Sequence, residues 1–224
     1  MDQTEERRAR EKEQRREYIL DRAQELIFKQ GFENITIEEI ARQSGYTKRS
    51  IYLYFKDREE IFYSLVLRGQ LLLLQRLKEA AGEANQTGRT LSSFAWGFFR
   101  FSHENPEFFE LIMQYETRRH TYTLGHMEEA SSRAECQNLS VEQGEILTQA
   151  LEKDLKEGRI RSSLTARALM LLLWSQTFGV MQALLMRKEA FCQVYGADPE
   201  SFFQIFIDGV ERALQGNDGL SRPS

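Results

Sequence analysis

The chain is 224 residues long, 41% hydrophobic and 29% charged, which describes a globular protein of one or two domains with a sizeable core. Its net charge of −4 and pI near 5.6 exclude a generally basic nucleic-acid binder, so any affinity for DNA has to come from a local patch. Residues 1–58 hold 13 Lys/Arg against 12 Asp/Glu, and residues 59–224 hold 17 against 22.

Residues 2–17 are almost uniformly charged. Glu6/Arg10 and Glu11/Arg15 have the i, i+4 order that supports an exposed helix. Read functionally, Arg7, Arg8, Arg10, Arg15 and Arg16 form a basic arm reaching DNA. Read plainly, the stretch is a solvated, partly frayed extension, and the interleaved glutamates favour this second reading. It contains no apolar signal-peptide core, which points to a cytoplasmic protein. From Tyr18 to Gln30 the positions Ile19, Ala23, Leu26 and Ile27 follow helical spacing, and Gly31 is the expected stop.

Residues 35–58, ITIEEIARQSGYTKRSIYLYFKDR, carry the strongest signal. Thr36 with Glu39 is a capping box that opens a helix whose Ile37, Ile40 and Ala41 share one side. Ser44-Gly45 ends it, glycine supplying the positive φ of a sharp turn. Thr47 caps a second short helix. In it Ile51 and Phe55 point inward, while Lys48, Tyr52 and Lys56 align at i, i+4 and i+8 on the other side. Asp57 with Glu60 opens a third helix. Two short helices joined by a glycine turn, the second showing Lys, Arg, Ser and Tyr, describe a DNA-binding helix-turn-helix.

The ordered runs Thr36-Ile37-Glu38-Glu39-Ile40-Ala41, Gly45-Tyr46-Thr47-Lys48 and Ile51-Tyr52-Leu53-Tyr54-Phe55-Lys56 resemble the signature of the tetracycline-repressor (TetR) family of bacterial regulators, continuously from about Ile19 to Val66. The resemblance implies a double-stranded DNA operator and places Thr36, Thr47, Lys48, Arg49, Ser50, Tyr52, Tyr54 and Lys56 at it. Matching family positions assign Lys56 and Tyr52 to phosphates, with Thr36 and Tyr54 contributing hydroxyl or backbone groups. Arg49 departs from the small residue usual after the recognition-helix Lys. Its guanidinium fork suits guanine O6 and N7, a phosphate contact being the alternative.

The helix opened at Asp57 is expected to run to about Ala81, shared by both parts of the chain, with a polar break over Gly82–Gly88. Residues 91–102 are dense in aromatics, and Asn105-Pro106-Glu107 caps a further helix. Aromatic stripes at this spacing are ordinary core more often than pocket wall. The sharper expectation is a cavity for an apolar effector between helices carrying Phe98, Phe101, Met113, Trp174 and Phe178. The region Arg118–Gln143 is polar, and a helix is expected from about Glu145 to Glu157. Residues 168–186 contain no charge. Four polar side chains and the Thr165 cap favour a helix buried on two sides over a membrane span. Asp198-Pro199-Glu200 caps a last helix with apolar residues on more than one face. The surplus apolar surface predicts a homodimer through helices at about 165–188 and 199–214, where the family forms a four-helix bundle.

Cys136 and Cys192 form no Cys-x-x-Cys motif, His103, His120 and His126 have no metal-ligand spacing, and no phosphate loop or nucleophile motif occurs. No metal, cofactor or enzymatic activity is expected. The sequence reading is therefore all-α: a DNA-binding domain over 1–58 with a charged extension over 1–17, a ligand-binding and dimerisation domain over 59–215, and a disordered tail over 216–224. The expected function is a transcriptional repressor released from its operator by a small-molecule effector. The rival is a helical apolar-ligand carrier or interaction scaffold that never touches DNA; an enzyme would need an acid or base that no motif supplies.

Overall fold

The structure, a computed structural model, describes residues 3–118, 131–186, 191–196 and 198–215. Among them are ten α-helices, a short 3₁₀ turn and no strand, so the fold is all-α. In chain order the helices are α1 (Gln3–Gln30), α2 (Ile37–Ser44), α3 (Lys48–Ile51), α4 (Arg58–Thr87), α5 (Thr90–Glu104), α6 (Pro106–Arg118), α7 (Ser132–Lys156), α8 (Ala166–Met186), α9 (Phe191–Tyr195) and α10 (Pro199–Gln215). His120, His126 and the tail 216–224 lie outside the described residues.

Contacts divide the chain into two compact units. One is Met1–Gln70 with Glu107–Asn138, the other Leu71–Pro106 with Leu139–Ser224. Helices α4 and α7 each run through the division. In the first unit, Ile19, Ala23 and Ile27 of α1 bury against Ile40 of α2, Ile51 and Phe55 of the α3 segment, and Ile61, Phe62 and Leu65 of α4. Each such side chain contributes about 1.5–3 kcal/mol by leaving water. Leu111 and Tyr115 of α6 and Cys136 of α7 complete this core, and Phe28 meets Phe108 edge-on at 5.0 Å. Glu33 is held from two helices. Arg58 donates to the Ile35 carbonyl at 3.0 Å and pairs with Glu33 at 3.5 Å, while Arg118 of α6 pairs with Glu33 and, at 3.4 Å, with Glu59. Both guanidiniums stack over Phe32, at 4.5 and 5.2 Å.

In the second unit Leu151, Ile160, Leu169 and Leu173 form one cluster, and Phe99 of α5 meets Phe203 of α10 at 4.7 Å. Asp154 is buried and paired at 2.6 Å with Arg159, which satisfies its charge. Helix α8 buries Leu169, Leu173, Met181 and Leu184 but leaves Leu171 60% exposed; α10 buries Phe203 and Ile207 and leaves Ile205 63% exposed. By length and composition alone, residues 166–185 of α8 are apolar enough to cross a membrane.

Four expectations need correction. The first helix begins at Gln3, so the charged extension is helical rather than frayed. Arg10–Glu6 and Arg7–Glu11 pairs support its early turns, and Glu11 pairs with Arg7 rather than forming the expected ion pair with Arg15. Helix α4 does not break at Gly82. That glycine keeps a negative φ, Ala84 anchors the next turn by burial, and the chain turns at Gly88 (φ 70°), whose N–H reaches the Ala84 carbonyl at 2.8 Å. Helix α7 starts at Ser132 rather than Glu145, because buried Ala134 and Cys136 hold its first turns. The short α9 was not anticipated.

Candidate DNA-binding surface

The α2–α3 corner is set by side chains that complete its backbone. Thr36 Oγ1 accepts from the Glu39 N–H at 3.3 Å and the Glu39 carboxylate accepts from the Thr36 N–H at 2.8 Å, closing the capping box. The box and the adjacent hydroxyl hold the Glu39 carboxyl below its usual range. Gly45 sits at φ 72°, ψ 19°, with Gly45 N–H to Arg42 O at 3.3 Å and Tyr46 N–H to Ala41 O at 2.9 Å. These paired bonds are those of a Schellman stop, and they require the left-handed residue. Thr47 Oγ1 then accepts from the Ser50 N–H at 3.1 Å and shares a hydrogen bond with Ser50 Oγ at 2.9 Å, starting α3.

Helix α3 ends at Ile51, earlier than the spacing of Lys48, Tyr52 and Lys56 implied. Residues 52–54 continue as turns: Leu53 and Tyr54 N–H groups reach back to Ser50 and Ile51 carbonyls at 3.2 and 2.9 Å. The reason is the next cap. Asp57 Oδ1 takes the Glu60 N–H at 2.8 Å and Glu60 Oε2 takes the Lys56 N–H at 2.5 Å, which commits the chain at Lys56 to the start of α4. Lys56 therefore stands at a helix entrance rather than on a third turn of α3.

The side chains along this corner differ in freedom. Arg49 is exposed and has no hydrogen bond or ion pair among the described residues. Tyr52 is 46% exposed. Lys48 is paired with Glu38 across the turn; the bond lowers the Glu38 carboxyl and raises the Lys48 ammonium from their ordinary values. Tyr54 is half-buried, 6.5 Å from Tyr46. Sequence reasoning missed Glu38 and also Leu53, which is 69% exposed between two tyrosines. An acid in the first turn of α2 was the only available sign of the former. Nothing in the spacing marked the latter, since an apolar residue there reads as core.

Residues 19–65 match the family model of bacterial regulatory proteins, tetR family. Over those residues the chain is a tetR-type DNA-binding segment. A curated relative, an uncharacterized HTH-type transcriptional regulator of Haemophilus influenzae, is 29% identical over 108 residues; the match covers 48% of this chain and 53% of the relative, so the chain spans about half that protein's length. Among solved structures, a protein of unknown function from Rhodococcus sp. RHA1 superposes with TM-score 0.70 at 19% identity, covering 90% of this chain and 96% of that one. The regulator FadR from Bacillus subtilis in complex with stearoyl-CoA gives TM-score 0.64 at 21% identity, covering 88% and 98%. At these identities the structural likeness speaks for the fold. Within the match over residues 19–65, the capped corner is the helix-turn-helix.

The residues expected to line an effector cavity divide between the units. Phe98 and Phe101 are buried in the second unit, where Phe98 meets the half-buried Trp174 at 5.1 Å and Trp174 lies 6.2 Å from Phe178. Met113 is buried in the first unit. Separately, an open groove over α4 is lined by Leu71, Leu74, Gln75, Lys78 and Glu79. Among the described residues no group of His, Cys, Asp and Glu is arranged to hold a metal ion.

Proposed function

We propose that this protein is a cytoplasmic, dimeric transcriptional repressor of the tetR type that a small apolar effector releases from its operator. The observation that carries the reading is the capped α2–α3 corner with Arg49 exposed and unengaged at the first turn of α3. A helix start aimed at the major groove places its first residues against base edges. In this reading Arg49 reads a guanine, Thr47, Lys48 and Ser50 lie beside it, and Tyr52, Lys56, Thr36 and Tyr54 hold phosphates. Residues 1–58 are the reading domain and residues 59–215 the effector and dimerisation domain.

The bare faces of α8 and α10, with Leu171 and Ile205, support a homodimer through those two helices. Two α3 segments then meet adjacent major grooves about 34 Å apart. A ligand that favours another spacing weakens binding by its differential affinity for the two states. Phe98, Phe101, Trp174 and Phe178 of the second unit offer apolar walls for that ligand, and the stearoyl-CoA bound by the Bacillus neighbour suggests a long acyl chain as a first probe.

The test is fluorescence anisotropy of the purified protein on a mixed-sequence duplex across a salt series, followed by operator selection. A log-affinity that falls linearly with log salt, and enrichment of a two-fold symmetric site, are expected. Absence of any salt-dependent complex returns the protein to the carrier reading. Release of the selected operator by acyl-CoA or another apolar ligand then tests the effector step.

A further inference from the structure

Along α1 the positions Arg8, Lys12, Arg15, Ile19, Ala23 and Ile27 recur every three or four residues, so they form one stripe. Its second half is the buried face against which the helix-turn-helix packs: Ile19, Ala23 and Ile27 belong to that core. Its first half, on the same side of the helix, is cationic. The other basic residues of the extension are engaged: Arg7 pairs with Glu11 at 3.4 Å, Arg10 with Glu6 at 4.0 Å, and Arg16 donates to Ser64 at 2.9 Å while stacking 4.8 Å over Phe55. Arg8 and Lys12 are exposed and make no ion pair or hydrogen bond among the described residues. Arg15 is exposed at the inner end of the stripe, and the adjacent Arg16 stacks over Phe55 just beyond α3. Glu5, three residues before Arg8, lies at the outer end of the stripe and is exposed, and Glu11 beside it is already taken by Arg7.

The near-neutral composition of this extension thus conceals a segregation. Glutamates neutralise the cations on the outer faces and leave the inner face positive. From Arg8 to Arg15 the stripe is about 10 Å long at 1.5 Å per residue, and it ends beside the α3 segment. Its charge complements phosphate, and it is continuous with the helix-turn-helix face.

We propose that the Arg8–Lys12–Arg15 face of α1 is a second phosphate-binding surface, gripping the backbone of duplex DNA beside the groove that α3 enters. The inference rests on the DNA-binding reading above and reverses the plain reading of the extension as solvated. The contact adds affinity and carries no sequence information, so it strengthens all duplexes alike.

The test compares two charge-matched variants of the full chain on one mixed-sequence duplex over a salt series. Arg8→Gln with Lys12→Gln removes the inner face, and Arg7→Gln with Arg10→Gln removes the outer, paired one; glutamine keeps helix propensity in both. The inner variant is expected to lower the salt slope by about two units per bound protomer, about four for a dimer, and the outer variant by less than about half a unit per protomer. Equal slopes for parent and inner variant, with the parent binding, overturn the inference and leave the helix-turn-helix reading standing. Equal losses in the two variants also overturn it, since they would report net charge rather than a face. If the parent itself forms no salt-dependent complex, both readings fall together.

Discussion

Residues 36–60 are shaped by side chains bonded to backbone three or four residues away, whereas α8 and α10 are shaped by apolar contact along one face and left bare along the other. In the first region Thr36, Glu39, Thr47, Asp57 and Glu60 satisfy helix ends directly. In the second, Leu171 and Ile205 remain exposed after the chain has folded. The difference separates two kinds of surface. A capped corner is complete before DNA arrives, and binding needs only complementary charge and shape. An apolar face is incomplete until another surface covers it.

The largest expected effect probes the corner. Phe55 is 1% exposed behind α3, and Phe55→Ala should cost about 3–5 kcal/mol in chemical denaturation. A cost below about 1 kcal/mol would mean that the caps alone hold the corner. The bare helices should respond to Leu171→Glu combined with Ile205→Glu. Sedimentation should show the dimer dissociation constant raised by at least about 30-fold, the equivalent of roughly 2 kcal/mol. An unaltered dimer would remove these two positions from the interface.

Arg49→Ala comes next. It should relax preference at one guanine per half-site, at about 1–3 kcal/mol, in operator selection. A uniform loss over all sequences would instead assign Arg49 to the phosphate backbone and leave reading to its neighbours. The smallest effect separates covered from bare surface by chemistry. Burial pushes the Cys136 thiol up to about 12, and its Sγ donates to the Tyr63 carbonyl at 3.3 Å, while Cys192 is exposed. The native protein at mildly alkaline pH should take one alkyl group, and the denatured protein two, by mass spectrometry. Two in the native state would show that the first unit opens readily.

The same contrast explains what the sequence made legible. Thr36–Glu39, Thr47–Ser50 and Asp57–Glu60 act over three residues, so their spacing was a sufficient sign of the corner. The apolar surplus of α8 and α10 was visible because composition alone shows it. Pairings across longer separations left no mark. Lys48 meets Glu38 ten positions away, which no periodicity encodes. Gly82 looked like a stop because glycine permits a turn, yet buried Ala84 carried α4 onward to Gly88. The end of α3 at Ile51 was likewise settled by competition, since Glu60 takes the Lys56 N–H for the start of α4. Among the candidate ligand residues, Phe98 and Trp174 do meet, but a four-residue spacing within α8 gave no information about which compact unit holds Met113.

The clasp on Glu33 has a consequence for biosynthesis. The motif that reads DNA is finished by about residue 66, but its compact unit also needs α6, whose Arg118 pairs with Glu33 and Glu59 and covers Phe32 and Phe62. Between them the ribosome has to make Leu71–Pro106, which belongs to the other unit. At about 5–20 residues per second the nascent reading head waits on the order of seconds with that side of Phe32 and Phe62 uncovered. A fragment cut after Gln70 would be fixed permanently in that nascent condition: intact in motif, yet lacking the helix that seals it.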